Sequence, residues 1–209
     1  MNLKRIDVLS IVSMVAMCSL LGCVGLKQQS RSRTASNRMV CVNNLKQIGL
    51  WMRIEVRDFD QYLMSYSVSE GGTREWVEAG EIWRHHRLLL GELTSPQILT
   101  CPDDSKAAAV SWDAMTNNEH ISYFLGLDTA ETRSNMLLSG DRNIALNGKR
   151  LNGVVALETN SPIQWTANDV HRGEGNIGYA DGSVQQFTTK KLRAALVNSG
   201  DSTNRLVFP

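Results

Sequence analysis

The sequence carries no surplus of charge. Its 22 Lys and Arg stand against 21 Asp and Glu, a formal net charge of +1, so no broad electrostatic pull toward nucleic acid is built in and none is expected as a partner. Histidine is scarce, at four residues. His85 and His86 are neighbours and would point in different directions on a helix, which leaves His120 and His171, and no zinc-type spacing exists. There is no G-x-x-x-x-G-K-S/T loop and no G-x-G-x-x-G after a strand, so nucleotide binding has no support. No Ser or Cys stands in a nucleophile-elbow context, and no internal repeat or low-complexity tract appears. No cofactor is expected. The loop carboxylates of Asp103, Asp104, Asp128, Asp141 and Asp181 are candidate oxygens for Ca²⁺, but they lack EF-hand spacing and read more simply as solvated turn residues.

What is present begins with an apolar run. Val8 to Leu26 is nineteen residues without a charge, spanning roughly 28 Å as a helix, close to the hydrocarbon thickness of a bilayer. Lys4 and Arg5 precede it, as in a cytoplasmic n-region, and Lys27, Arg31, Arg33 and Arg38 follow it, as a solvated or headgroup-level face would. Three fates are open. The segment stays as a single-pass transmembrane stalk with the C-terminal domain outside the cytoplasm. Signal peptidase removes it. Or Leu20-Leu21-Gly22-Cys23 acts as a lipobox and leaves a lipidated Cys23. Beyond a stalk of roughly 55 residues there is room for one domain of about 150.

Four cysteines are present. Cys18 and Cys23 lie in the apolar run. Cys41 and Cys101 lie beyond it, where an extracytoplasmic location allows oxidation. They are either a disulfide clamping a helix to the globular domain or two free buried thiols.

From Thr34 to Met64 the pattern is helical. Val42, Leu45, Ile48, Met52 and Val56 recur at spacings of three and four as one apolar stripe suited to a sheet, and the helix should stop near 58–60. Thr73 to Ala79 and Trp83 to Glu92 read as short helices, with Trp76 and Trp83 as core or groove-filling aromatics. Strands are expected at 97–100, 121–125, 136–138, 154–157, 163–166, 176–180 and 183–187. A final helix is expected over 189–197, with Thr188 or Thr189 as N-cap and Gly200 as its stop. Cys101-Pro102-Asp103-Asp104 and Ser139 to Asn143 read as turns.

The most distinctive C-terminal feature is His171 separated by nine residues from Asp181-Gly182. Asp-Gly between two strand-like segments predicts a hairpin with a type I′ turn. Gly173, Gly175 and Gly178 allow close backbone approach, Asn176 opens the first strand, and His171 ties the entering loop to the hairpin. A catalytic alternative makes His171 a base oriented by Asp181. The plainer reading is structural, with no catalytic residue and no metal.

Three blocks together resemble a known family. These are the apolar helix running into Cys41-Val42-Asn43-Asn44-Leu45-Lys46-Gln47-Ile48-Gly49, then Leu99-Thr100-Cys101-Pro102-Asp103-Asp104, then His171 through Val184. The chain is similar to the pseudopilin-like proteins of type II secretion and type IV pilus-like systems, of the planctomycete and verrucomicrobial type. These carry a prepilin-type N-terminus and a C-terminal H-X9-DG segment, here His171, Asn176, Asp181 and Gly182. The family's processing site, Gly followed by Phe-Thr-Leu-Ile-Glu, has Arg5 and Ile6 as its cleavage pair here and Ser10 in place of the Glu. The resemblance implies an α+β pilin-like fold, one long N-terminal helix packed on a small antiparallel sheet. It divides the chain into an anchor (1–33), an amphipathic stalk helix (34–64) and an extracytoplasmic domain (65–209) with its hairpin at 171–187. It implies a non-enzymatic subunit or accessory, with other pilin-like subunits, inner-membrane assembly components and membrane lipid as partners. The alternatives are a lipoprotein or tethered binding module that does not polymerise, and a secreted hydrolase using His171 and Asp181.

Overall fold

A computed structural model describes residues 33–56, 61–88, 93 and 95–209. The apolar run, Arg5, Ile6 and Cys23 lie outside the described residues, as do 57–60, where the first helix was expected to stop, and 89–92. The chain divides into two units, Met1–Asn37 and Arg38–Pro209. In the first, residues 33–37 are helical; all else concerns the second. No helix among the described residues is long and apolar enough to cross a membrane.

Helix α1 (38–56) owes its packing to the stripe legible in the sequence: Val42, Leu45, Ile48, Met52 and Val56 are all buried, joined by Cys41 and Trp51. Two short helices follow, α2 (Arg74–Glu78) and α3 (Ile82–Arg87). The rest is largely antiparallel sheet. Strands β1 (Tyr123–Gly126), β2 (Leu137–Asp141), β5 (Gly153–Glu158), β7 (Glu174–Tyr179), β8 (Val184–Thr188) and β9 (Thr203–Phe208) form a six-stranded sheet in the order β5-β9-β1-β2-β7-β8. Strands β3 (Ile144–Leu146), β4 (Lys149–Arg150) and β6 (Ile163–Trp165) form a second, three-stranded sheet, and α4 spans Thr189–Asn198. The class is α+β with small antiparallel sheets.

Alternation along the central strands explains the layers. Successive side chains point to opposite faces. Tyr123 and Leu125 join the core cluster built on α1, and Phe124 between them joins a second cluster with α4 and the small sheet. On β9, Val207 faces the first cluster while Leu206 and Phe208 face the second. Both faces of the large sheet are thus covered, which is why β1 and β2 are buried at every position.

Several local expectations need correction. Residues 97–100 are not a strand: Pro96–Leu99 is a 3-10 turn, with Pro at its start and the Ser95 hydroxyl accepting from Gln97 N. The expected helical stretch does not run unbroken to 64: residues 61 and 62 are not helical, and Leu63–Ser65 is a separate 3-10 turn. Residues 139–141 are strand β2 rather than turn. The Thr188 side chain makes no cap, and the Thr189 hydroxyl instead accepts from Trp165 N at 3.3 Å. The 181–182 turn is not type I′. Only Gly182 has positive φ, at 82°, and Gly182 N donates to Tyr179 O while Tyr179 N donates to Ser183 O. This is a type I turn closed by a left-handed glycine.

Candidate functional site

The open end of the β7–β8 hairpin gathers polar residues from five parts of the chain. Strand β2 ends there with Asp141, followed by Arg142 and Asn143. The turn after Cys101 delivers Asp103 and Asp104, helix α1 delivers Arg38 and Cys41, and β7 delivers Glu174 and Asn176. The fifth part is a strained loop. His171, Arg172 and Gly173 have consecutive φ values of 56°, 50° and 86°, the left-handed region that non-glycine residues rarely adopt. Gly173 N holds the loop by donating to Thr166 O at 2.9 Å.

That loop aims the His171 ring inward, where its side chain is wholly buried. His171 Nδ1 lies 3.0 Å from Asp103 Oδ2, and burial lowers its pKa although the Asp103 charge pulls the other way. The lowered pKa favours the neutral ring. A carboxylate only accepts, so the proton sits on Nδ1 and Nε2 presents its lone pair. Nε2 faces Cys101 Sγ at 3.5 Å and Asp141 Oδ2 at 3.5 Å.

Asp141 is completely buried. Its Oδ2 accepts from Asn176 N at 2.6 Å and Asn176 Nδ2 at 2.8 Å, and its Oδ1 has no protein donor. Burial pushes the carboxyl up to about 7, outweighing the Asn176 hydrogen bonds and the Arg38 charge that pull it down. Cys41 and Cys101 are joined in a disulfide with Cα atoms 5.4 Å apart and are buried at 0% and 1% exposure. It closes the sheet domain onto α1, and at that burial no thiol-exchange partner reaches it from solvent. Among the described residues, Cys41, Cys101, Asp141 and His171 are the one group of potential metal ligands, their donor atoms all within 4.8 Å of one another.

Around this centre the charges are paired. Arg142 clamps Asp104 with two bonds, Nε to Oδ2 at 2.6 Å and Nη2 to Oδ1 at 2.5 Å, the Asp104 side chain being fully buried. Burial acts to raise the Asp104 pKa, but the Arg142 bonds and charge leave it lowered. Asp169 pairs with Arg150, and Arg38 with Glu174. Lys106 Nζ donates to Asn118 O and Ile121 O, both at 2.8 Å, and burial lowers its pKa to about 8. Asn143 Nδ2 donates to Val170 O at 2.6 Å and Glu174 O at 3.1 Å, tying the strained loop to β2. Gly175 is needed where β7 passes the small sheet, because a Cβ there would overlap the Trp165 ring.

The other motif residues are elsewhere. Asp181 and Gly182 sit at the closed end of the hairpin, beyond the six residues of β7, about 20 Å of strand away. Asp181 therefore does not orient His171; Asp103 does. Asp181 Oδ1 accepts from Ser183 N, and its carbonyl accepts from Arg53 Nη1, both at 2.8 Å. Of the five candidate calcium carboxylates, Asp103, Asp104 and Asp141 meet at the open end, where they serve His171, Arg142 and Asn176, while Asp128 holds Arg205 and Asp181 its own turn elsewhere. His120 Nδ1 bonds Ala107 O at 2.7 Å. His85 and His86 are both buried, their rings edge to face with centroids 5.3 Å apart, and His85 Nδ1 meets Thr73 Oγ1 at 2.9 Å. Trp76 and Trp83 are half-buried, with Arg84 over the Trp83 ring at 4.9 Å.

Sequence reasoning found His171, Asn176, Cys41 and Cys101 as site residues. It missed Arg142, Asn143 and Glu174, and it took Asp103 and Asp141 as candidate calcium oxygens or turn carboxylates rather than as partners of His171 and Asn176. Comparison with protein-family models, with curated proteins and with solved structures returned no match.

Proposed function

We propose that this chain is a non-enzymatic, pilin-like subunit or accessory of a type II secretion or type IV pilus-like apparatus. It is held in the inner membrane by residues 8–26, with its C-terminal domain outside the cytoplasm. The observation that carries this reading is α1. It follows a membrane-length apolar run in the sequence, buries its stripe under the large sheet, and is bonded to the domain by Cys41–Cys101. On its outward side Leu50 and Ile54 are 60% and 43% exposed. They lie four residues apart, hence on one face, an apolar strip suited to a neighbouring subunit.

The test uses the protein from membranes of its native host, with a photoreactive residue at Leu50. Its N-terminus, intact mass and cross-linked partners are determined. The proposal expects a chain starting at Met1 or Ile6, cross-linked to further copies or to other pilin-like subunits. A chain beginning at a lipid-modified Cys23, with no cross-linked subunit, overturns it in favour of a tethered lipoprotein.

A further inference from the structure

We propose that, while its thiols are reduced, this chain binds one zinc-class divalent cation through Cys41 Sγ, Cys101 Sγ, His171 Nε2 and Asp141, and that the disulfide and the metal are mutually exclusive closures of one site. The inference stands on these residues alone and is independent of the assembly role.

The donor set is of the right kind. Two thiolates, an imidazole nitrogen and a carboxylate are the ligands Zn²⁺ takes in closed, four-coordinate sites. The spacing also fits. With Zn–S near 2.3 Å and Zn–N and Zn–O near 2.0 Å, a tetrahedron has S···N edges of about 3.5 Å and N···O edges of about 3.3 Å. Cys101 Sγ to His171 Nε2 and His171 Nε2 to Asp141 Oδ2 are each 3.5 Å. Replacing the S–S bond by two Zn–S bonds asks the sulfurs to part by about 2 Å, within reach of side-chain rotation.

The groups behind the ligands are already in place. Asp103 accepts the Nδ1 proton of His171, the carboxylate–histidine arrangement that directs the Nε2 lone pair at a metal. Asn176 fixes Asp141 with two hydrogen bonds. A strained left-handed backbone holds His171 in position. The independent observation is Asp141 itself, a carboxyl with no exposure, no cation in contact and one oxygen without a donor. A buried carboxylate in that state calls for a proton or a cation. On binding, the two thiols release their protons to solvent as two metal–sulfur bonds form, and no electron is transferred. The site closes under α1, so the metal enters as the helix docks.

The test uses the full chain in detergent. It is unfolded in denaturant with a phosphine reductant, then refolded with Zn²⁺ or Co²⁺, alongside the oxidised chain. The proposal expects about one Zn²⁺ per reduced chain after desalting and none in the oxidised chain. With Co²⁺ it expects a thiolate charge-transfer band and the strong visible bands of a four-coordinate site. Asp103→Asn should weaken the metal about tenfold or more, and Asp141→Asn further. If the reduced chain refolds only when metal is present, that too supports the site. The proposal is overturned if the reduced chain retains no more metal than the Cys41→Ser/Cys101→Ser variant, or if Co²⁺ binds without a charge-transfer band. It is equally overturned if metal fails to restore folding under conditions where the oxidised chain refolds.

Discussion

At one end of β7, His171 is buried, its backbone held at a φ of 56°, its ring set between Asp103 and Asp141 and against a disulfide. At the other end, Asp181 is exposed and caps its own turn, and Gly182 supplies the left-handed residue at 82°. The two halves of one sequence motif therefore do different work. The spacing of nine measures a strand plus its turn and does not bring a His and an Asp together. The open end joins helix, sheet and loop through long-range contacts; the closed end is local and sets register.

The contrast breaks most severely if the covalent tie is removed. Cys41→Ser/Cys101→Ser opens a crosslink between residues 60 apart in sequence, which on chain-entropy grounds costs about 4 kcal/mol. Urea unfolding of the non-reduced proteins measures it. A loss no larger than that of a surface substitution would mean α1 is held by its stripe alone.

Acid comes next, and it separates the partnered His171 from the pair on α3. Burial lowers His85 to about 4 and His86 well below its ordinary value, and no carboxylate offsets it. Their charged forms favour the unfolded chain. The stability His85 contributes is full above about pH 6.5 and is lost as pH falls through about 4, on the order of 3 kcal/mol, and His86 acts in the same direction. Urea midpoints between pH 7 and 4 should fall, and less steeply in His86→Leu. An equally steep fall in that variant removes these rings as the cause.

The two motif ends can then be compared directly. His171→Ala removes a buried ring and its Asp103 bond and leaves the strained loop without that anchor, a cost of about 2–3 kcal/mol. Gly182→Ala strains one turn residue and brings a Cβ to 3.3 Å from Arg53 Cδ, a cost of about 1–2 kcal/mol. Asp181→Ala loses one exposed hydrogen bond, about 0.5 kcal/mol. Thermal or urea unfolding ranks them, and the reverse ranking would place the structural weight at the turn.

Legibility followed the range of the interactions. The α1 stripe, the strands around 123–126 and 153–158, the hairpin and α4 were readable because side-chain periodicity is a local signal. Strand β9 was not. The reading stopped at Gly200, and nothing within Thr203–Phe208 announces that it lies between β5 and β1. Residues 97–100 read as strand because Ile98 and Leu99 are apolar, and the Ser95-Pro96 start of a helical turn was outweighed. At the site, residue types were visible but partners were not. Asp141 and Asn176 are 35 residues apart, and His171 and Asp103 are 68 apart. No local pattern encodes such pairings, and the one side-chain partner the sequence offered His171 was Asp181, in the catalytic alternative.

The His171 end of the hairpin is what anchors α1. Native-state hydrogen exchange on the oxidised chain tests it directly, following amides 41–56 in wild type, His171→Ala and Gly182→Ala. His171→Ala should lower protection across 41–56 and at the start of β7, while Gly182→Ala should loosen mainly the turn. Equal or greater loss over 41–56 in Gly182→Ala would contradict it.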